Sequence, residues 1–325
     1  MTGVQTCALP ISSVRNRARD GFIVVAVLWI LAALATLASI YSTYVASTVI
    51  ASRVNDERIQ THAMISAAVE LAAYQLSASS QEVRPTQGAF SFRSGNANVA
   101  VEFRSEAARI DLNAASKELL AGLFAALGAR AGSAEEYAAR IIGWRTNSRE
   151  EGQALSPEVS AYRTAGLPYA PREGPFVHVG ELWLVLGIPP QLVERALPYV
   201  TVFSGRPEIN VLEAAPLVLA SLPGMTPERL NAVLNLRAVP RQSGNTVLEM
   251  LGPAQSGATI DGSKATRVRI AVNFDNGRRT NAAVVILILE DADEPYRVLS
   301  WRDDADGPIA DEPPRTDLRT RTDLR

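Results

Sequence analysis

Side chains that commonly act as nucleophiles or metal ligands are few in this 325-residue sequence. It has two histidines, His62 and His178, and one cysteine, Cys7. Neither histidine lies in an HExxH arrangement, and no GxSxG or glycine-rich phosphate loop occurs. Each histidine is more simply interpreted as a half-exposed structural residue. We therefore expect that the protein is not an enzyme, has no catalytic residues and uses no cofactor.

One segment could make a contact of another kind, with nucleic acid. Residues 222–237, which begin LPGMTPERL, resemble a helix-hairpin-helix, whose backbone amides can hold a phosphate. The second hairpin glycine is replaced around Thr226 and Pro227, and Glu228 stands where the phosphate would approach. Phosphate binding also needs local positive charge, and the net charge of the chain is −2. A membrane-anchored, competence-like DNA-binding protein is therefore the alternative interpretation, and we expect no nucleic-acid partner.

An uncharged segment from Gly21 to Ser52 decides where all these residues lie. About 20 apolar residues cross a bilayer as a helix, so residues 22–45 are predicted to span a membrane. A buried core helix of this length would show a polar stripe, and the apolar region of a secretory signal has about 7–15 residues. Three arginines precede the segment, whereas arginines mixed with acids follow it, which favours a cytoplasmic N-terminus. We expect a single-pass protein whose body lies outside the cytoplasm.

Residues 1–21 form a basic leader before this segment. Residues 3–11 resemble the translation of a common sequencing adapter, so we expect that Cys7 does not belong to the native leader. Removal of the leader takes away three arginines and one aspartate, which changes the net charge from −2 to −4. The remaining chain has no cysteine, so a disulfide cannot form in an oxidising compartment.

The apolar segment continues into residues 53–76 with apolar side chains at helical spacing and without glycine or proline. This pattern predicts one continuous helix of about 60 residues, over 22–80. Alternating apolar and polar residues predict five strands. They cover 89–93, 97–105, 266–274, 281–289 and 296–301. Three strands cannot hide a sheet face alone, so we expect the last three to join the first two and pack on the long helix, in a sheet of four or five strands.

The region between these strands has a helical pattern with glycine and proline punctuation. It contains a repeat, because residues 110–123 align with 209–222 at five identical positions. Each copy is predicted to be a short extended segment followed by a helix, with Ser116 or Asn113 capping the first and Pro216 in the first turn of the second. Trp144 and Trp183 lie in apolar helical pattern, so we expect both in the core.

These elements predict an α+β fold in which a long N-terminal helix packs on an antiparallel sheet with a large all-α insertion between strands. The predicted division is a leader over 1–21, a long helix over 22–80, a sheet over 81–107 and 263–302, a helical insertion with helix-hairpin-helix-like repeats over 108–262, and a disordered charged tail over 303–325.

Several motifs together resemble the minor pseudopilin K (GspK) family of type II secretion systems, which is related to type IV prepilins. In chain order they are GFIVVAVLWIL at 21–31, RIDLNA at 109–114, IIGW at 141–144, YRTAGLPY at 162–169, GELWLVLG at 180–187 and INVLEAA at 209–215. The resemblance implies a pseudopilin fold with an α-helical insertion, which agrees with the pattern-based prediction.

The resemblance also implies processing sites. A prepilin peptidase would cleave between Gly21 and Phe22 and methylate the new amine of Phe22. The fifth residue after the cut is Ala26, where most pilins have a glutamate that resembles a partner for the N-terminal amine of a neighbouring subunit. A carboxylate inside a bilayer costs at least a few kcal/mol unless it is paired, and a subunit at the filament tip has no predecessor to pair with. Ala26 is thus expected to mark a tip subunit.

The implied function is that of a minor pseudopilin at the tip of the pseudopilus, which helps to initiate its assembly and to export proteins across the outer membrane. The implied partners are the I-type and J-type minor pseudopilins, the rest of the pseudopilus, the inner-membrane secretion platform and the prepilin peptidase. The implied location is the bacterial inner membrane, with the C-terminal body in the periplasm.

The sequence departs from the family at one place. Several members have an acidic, calcium-binding run after a tryptophan, but the residues after Trp144 are RTNSR over 145–149. A calcium site needs several oxygen ligands with net negative charge, and two arginines oppose it. Glu150 and Glu151 are interpreted as a solvated face. We therefore expect no metal site.

Overall fold

The structure, a computed structural model, describes residues 17–78, 84–147, 156–238, 244–252, 256–289 and 294–303. The adapter-like segment 3–11, most of the predicted leader, Glu150, Glu151 and residues 304–325 of the predicted tail lie outside the described residues. The described chain divides into two compact units, residues 1–62 and 63–325, and each is treated by itself below.

Eight α-helices occur in the described residues. They are α1 (Arg17–Ser77), α2 (Lys117–Ala126), α3 (Ala131–Arg145), α4 (Pro157–Thr164), α5 (Pro190–Ala196), α6 (Pro216–Ala220), α7 (Pro227–Ala238) and α8 (Gly244–Leu251). Three short 3-10 helices add Glu106–Ala108, Val179–Leu184 and Leu197–Tyr199.

The strands of the described residues form one large sheet and two small ladders. The strands are β1 (Gln87–Ser94), β2 (Ala97–Ser105), β3 (Ile110–Asp111), β4 (Val200–Thr201), β5 (Ile209–Asn210), β6 (Ala258–Thr259), β7 (Ala265–Phe274), β8 (Arg279–Ile288) and β9 (Tyr296–Asp303).

Helix α1 has 61 residues, as the uninterrupted helical pattern predicts. From Phe22 to Arg84 the sequence has neither glycine nor proline, the two residues that most readily end a helix. In the second unit, Ile65, Val69 and Leu76 of this helix are buried against the sheet. The spacing of these residues places them on one helical face, so this part of α1 forms half of an α/β layer.

The large sheet is antiparallel with the strand order β1-β2-β7-β8-β9, so each strand predicted from alternation is found and the open question of strand number is answered by five. Residues of β2 alternate between buried and exposed along the strand, and the buried side chains form the core with α1. Gly88 of β1 lies opposite Phe103, and a Cβ at Gly88 would lie 2.3 Å from the Phe103 ring. The absence of a side chain there lets the ring occupy the space.

The segment between β2 and β7 has its own core, built around Leu120, Phe124 and Ile141 together with residues of α5 to α8. Ser116 caps α2, since its side chain accepts a 3.2 Å hydrogen bond from the Leu119 amide, and Pro216 is in the first turn of α6. The segment is not purely helical, because β3 pairs with β4 and β5 pairs with β6, both in parallel. These short strands satisfy the backbone groups of the extended residues before each helix.

The sequence repeat is also a structural repeat. β3 leads to α2 and β5 leads to α6, and an Asx turn follows each strand. Asp111 Oδ1 accepts a hydrogen bond from the Asn113 amide at 2.8 Å, and Asn210 Oδ1 accepts one from the Leu212 amide at 2.9 Å. The two copies therefore start with the same local hydrogen-bonding device.

An arginine from the second helix of each copy then closes the same turn. Arg145 of α3 donates to the carbonyl oxygen of Ala115 at 2.8 Å, and Arg237 of α7 donates to that of Ala214 at 2.8 Å. Ala115 and Ala214 are equivalent in the sequence repeat. The long side chains thus hold each hairpin on the start of its own repeat.

The predicted fold class is confirmed: a long N-terminal helix packs on an antiparallel sheet, and a mainly helical segment is inserted between two central strands. One detail of the prediction is wrong. Trp144 is buried, but Trp183 is 47% exposed. Trp183 lies in the 3-10 helix Val179–Leu184, whose spacing differs from that of an α-helix.

Candidate functional site

The first unit presents a long apolar helical surface. Phe22–Thr48 is the one part of the described chain that is long and apolar enough to cross a membrane, with a mean hydropathy of 2.7 and no buried residue in its most apolar stretch. Large side chains such as Phe22, Trp29 and Leu37 are between 63% and 76% exposed. An uncovered apolar surface of this length is typical of a membrane anchor or a helix-pairing surface.

The hydroxyl groups within this helix are satisfied by the helix itself. Thr36 donates to the carbonyl oxygen of Ala33 at 2.8 Å, Thr43 donates to that of Ile40 at 2.8 Å, and Thr48 donates to that of Tyr44 at 2.9 Å. In hydrocarbon each polar group must find a partner within the protein. These hydrogen bonds therefore make the segment compatible with a bilayer despite its serines and threonines.

The predicted processing residues lie near the start of this helix. Gly21 and Phe22 are both within α1, Phe22 is 76% exposed, and Ala26 is half-buried. Phe22 and Ala26 are four residues apart and therefore lie one above the other on the same helical face. The structure thus brings together the predicted cut and the predicted tip marker, on a surface that the described residues do not cover.

A second surface lies on α1 in the other unit, on the side facing away from the sheet. Ala63, Ala67, Leu71 and Tyr74 are exposed, and Tyr74 is 72% exposed. Their spacing of three or four residues forms a stripe. The sequence pattern indicated an amphipathic helix here, but only packing against the sheet shows which apolar residues are left uncovered. This stripe could pair with a helix of another subunit.

The helix-hairpin-helix resemblance corresponds to α6, a turn at residues 221–226, and α7. Gly224 has a φ of +69°, as a tight turn requires. However, the start of α7 is already occupied: Thr226 accepts a hydrogen bond from the Arg229 amide at 3.3 Å. The pKa of Glu228 is lowered by its own backbone amide and by Thr226. A phosphate at this turn would meet a carboxylate.

The nearby arginine is also engaged. Arg229 donates to the carbonyl oxygens of Gly224 and Leu251, so it stabilises the hairpin and α8 instead of extending into solvent. The second hairpin therefore has the geometry of a phosphate-binding motif without its electrostatics, and nothing in this region favours the DNA-binding alternative.

The segment after Trp144, where some family members bind calcium, has a structural role at its first residue. Arg145 donates to the carbonyl oxygens of Leu112 and Ala115. Residues 148–155 lie outside the described part of the chain, and within that part no group of three or more histidine, cysteine, aspartate or glutamate residues is placed to hold a metal. That the chain binds no metal stays a prediction.

Trp144 belongs to an aromatic cluster that sequence reasoning did not resolve. Its ring lies 6.0 Å from those of Tyr162 and Phe176, and its indole nitrogen donates to Glu181 at 3.1 Å. Glu181 also accepts hydrogen bonds from Arg172 at 3.0 and 3.2 Å. Burial raises the pKa of Glu181, but hydrogen bonds from Arg172 and other donors outweigh it, so the net shift is downward. The cluster stabilises the insertion, and sequence order gave no sign of it.

Comparison with known proteins adds two findings. Residues 96–205 match the family described as "Type II secretion system (T2SS), protein K". A solved structure described as the crystal structure of the GspK-GspI-GspJ complex from the enterotoxigenic Escherichia coli type 2 secretion system contains a chain with a similar fold. The TM-score is 0.54 at 20% sequence identity, and the alignment covers 78% of this chain and 98% of that chain. No curated protein matches the chain.

Proposed function

We propose that this chain, which is a minor pseudopilin of the type II secretion protein K family, lies at the tip of the pseudopilus and helps to initiate its assembly. The observation that carries the proposal is the uncovered apolar helix with alanine at its fifth position after the predicted cut, Ala26. Its other support is the fold shared with a chain of the GspK-GspI-GspJ complex. Its role in secretion is thus structural and does not involve catalysis.

The tip position follows from the cost of a charge in the membrane. A carboxylate at the fifth position would need a cationic partner, since at the centre of a helix in a bilayer it costs about 2.5–3.5 kcal/mol by insertion measurements. The amine of a preceding subunit could supply that partner inside a filament. A first subunit has no preceding subunit. Ala26 needs no partner, so this chain can occupy the first position at no such cost.

The partners follow from the two exposed surfaces. Within the membrane, Phe22–Thr48 would pack against the corresponding helices of other subunits. Outside it, the stripe of Ala63, Ala67, Leu71 and Tyr74 would pair with I-type and J-type minor pseudopilins, as apolar helix faces do. The secretion platform of the inner membrane would anchor the assembly, whose function would be export across the outer membrane.

Processing and location complete the proposal. A prepilin peptidase would cut between Gly21 and Phe22 and methylate the amine of Phe22, so that the apolar helix begins at the cut. The chain would cross the inner membrane once, with its N-terminus in the cytoplasm and residues 53–325 in the periplasm. The division into leader, long helix, sheet over 81–107 and 263–302, insertion over 108–262 and tail belongs to the same proposal.

The test is the substitution Ala26→Glu in the native secretion system, with Ala26→Leu as the matched control. We expect Ala26→Glu to reduce the number of pseudopili and the amount of secreted protein as strongly as deletion of the chain, and Ala26→Leu to retain most of both. Immunoblots of the membrane fraction should show equal amounts of the two variants, so that a failure of insertion is distinguished from a failure of assembly. Normal assembly with Ala26→Glu, or with the chain deleted, would contradict the tip role.

A further inference from the structure

The face of the sheet opposite α1 has a group of arginines that the proposed function does not use. Arg104 of β2 lies opposite Arg267 of β7, and Arg269 lies opposite Glu102. These residues alternate with the buried ones that face α1, so their side chains share the other face. Like charges directly opposite each other destabilise a sheet, which makes this arrangement unusual unless something compensates for it.

Arg109 adds a further positive charge. Together with Arg104, Arg267 and Arg269 it lines a small cavity of about 20 Å³, to which Glu102 and Glu106 also contribute. Four guanidinium groups and two carboxylates leave a local excess of two positive charges. The whole chain has a net charge of −2, so this excess is a local feature. We call these four arginines and their cavity the arginine pocket.

The acidic residues in the arginine pocket do not neutralise Arg109. Both carboxylate oxygens of Glu106 already accept hydrogen bonds from Arg267, at 2.7 and 3.1 Å, and one accepts from Thr201 as well. Loss of hydration lowers the pKa of Arg109 to about 9, and repulsion from Arg267 contributes to the same shift. A buried guanidinium among three others would be stabilised by an anion from outside the chain.

We propose that the arginine pocket binds carboxylate groups from a short acidic stretch of a partner protein. A guanidinium presents parallel N–H donors that match the two oxygens of a carboxylate. The cavity has room for about one water-sized group, so it admits the end of a carboxylate and is small for a phosphate group. Two acidic side chains would balance the local charge. The site is on the sheet and does not depend on where the chain lies in a filament.

The experiment uses the full chain in an uncharged detergent at low salt, with hexaglutamate as the probe and isothermal titration as the measurement. Hexaglutamine and inorganic phosphate are compared with it. The variants are Arg109→Gln and Arg109→Lys, and the control is Arg297→Gln, which removes the same charge from an exposed position of β9 outside the cavity.

We expect hexaglutamate to bind and hexaglutamine not to bind. Arg109→Gln should weaken binding roughly tenfold or more, because it removes charge-assisted hydrogen bonds. Arg109→Lys should be intermediate, because it keeps the charge and loses the fork. The control Arg297→Gln should stay within about twofold of the unsubstituted chain.

Thermal unfolding of each variant shows whether it is folded, and Arg269→Gln replaces Arg109→Gln if that variant is not. Equal binding of hexaglutamate and hexaglutamine would overturn the proposal. An equal loss in the Arg297→Gln control would overturn it too, by showing diffuse attraction. Displacement of hexaglutamate by a lower concentration of phosphate would show that the pocket prefers a different anion.

Discussion

Glu106 is buried where β2 ends and the inserted segment begins. It is 1% exposed, its carboxylate lies 2.7 Å from the Arg267 guanidinium of β7, and it accepts a hydrogen bond from Thr201 of β4. Burial raises the pKa of Glu106, but the positive charges of Arg267 and Arg109 and the hydrogen bonds of Arg267 and Thr201 outweigh it, so the net shift is downward. One residue thus connects the sheet with the insertion.

The first prediction concerns this buried ion pair. A carboxyl group with a lowered pKa in the folded state stabilises the fold above its unfolded-state pKa, near 4.5, and this contribution is lost as the pH falls through the folded-state pKa. The free energy of unfolding should therefore fall as the pH decreases below about 4.5. Near neutral pH, Glu106→Gln should cost about 3–5 kcal/mol, because it leaves Arg267 without its counter-charge in a buried position.

Denaturant unfolding of the full chain in detergent, followed by circular dichroism between pH 7 and pH 3, measures both effects. The matched control is Glu135→Gln on the exposed side of α3, which should change stability by less than about 0.5 kcal/mol. A Glu106→Gln variant with the stability and the pH profile of the unsubstituted chain would show that the ion pair contributes nothing.

At the scale of elements, the insertion depends on the contact between the first helices of its two repeats. Gly122 of α2 lies against the backbone of Ser221 at the end of α6, and a Cβ at Gly122 would lie 2.0 Å from the Ser221 carbonyl oxygen. Backbone is less able to move away than a side chain. Glycine is therefore required here for the close approach of two elements, although its φ is not in the left-handed region.

The second prediction compares two helical glycines. Gly122→Ala should destabilise the protein by about 1–3 kcal/mol, because the added methyl group overpacks the contact between α2 and α6. Gly132→Ala, in α3, should stabilise it by about 0.5–1 kcal/mol, because no atom lies within 4 Å of the new Cβ and alanine loses less backbone entropy in a helix. Thermal unfolding midpoints of the two variants should move in opposite directions, and parallel shifts would contradict the assigned contact.

At the scale of the whole molecule, the sequence predicts a chain that is cut before it functions. The third prediction is that the chain isolated from the membrane fraction of its native host begins at Phe22 and has a methylated amine. N-terminal sequencing and intact mass would show both. Gly21→Val should leave the leader attached, because a branched side chain replaces glycine beside the cut, while Ser39→Ala, within the apolar segment, serves as the processed control. An intact leader on a chain free in the cytosol would contradict the proposed function.

Much of the architecture could be predicted because it depends on local patterns. The absence of glycine and proline after Phe22 predicts the length of α1, and two-residue alternation predicts the strands within a few residues. The alignment of Ile110 with Ile209 predicts the two related hairpins. Each of these signals is contained in a short stretch of sequence, so no knowledge of distant contacts is needed.

The contacts that stabilise these elements could not be predicted, since they join residues far apart in the chain. Nothing local to Glu106 indicates a partner at Arg267, and nothing local to Gly122 indicates the Ser221 backbone. Trp183 was misplaced for the same reason: apolar pattern marks candidates for burial, but the turn of a 3-10 helix decides which side faces the core.

The sequence by itself determined that the chain has a long uncharged helix, a set of alternating strands and a duplicated helical insertion, because backbone preference and hydrophobic periodicity act over a few residues. Only the tertiary structure decided which faces remain uncovered and which charges meet. The arginine pocket and the stripe on α1 arise from strand register and helix packing, which bring together side chains more than 150 residues apart, such as Arg109 and Arg267, and leave others exposed.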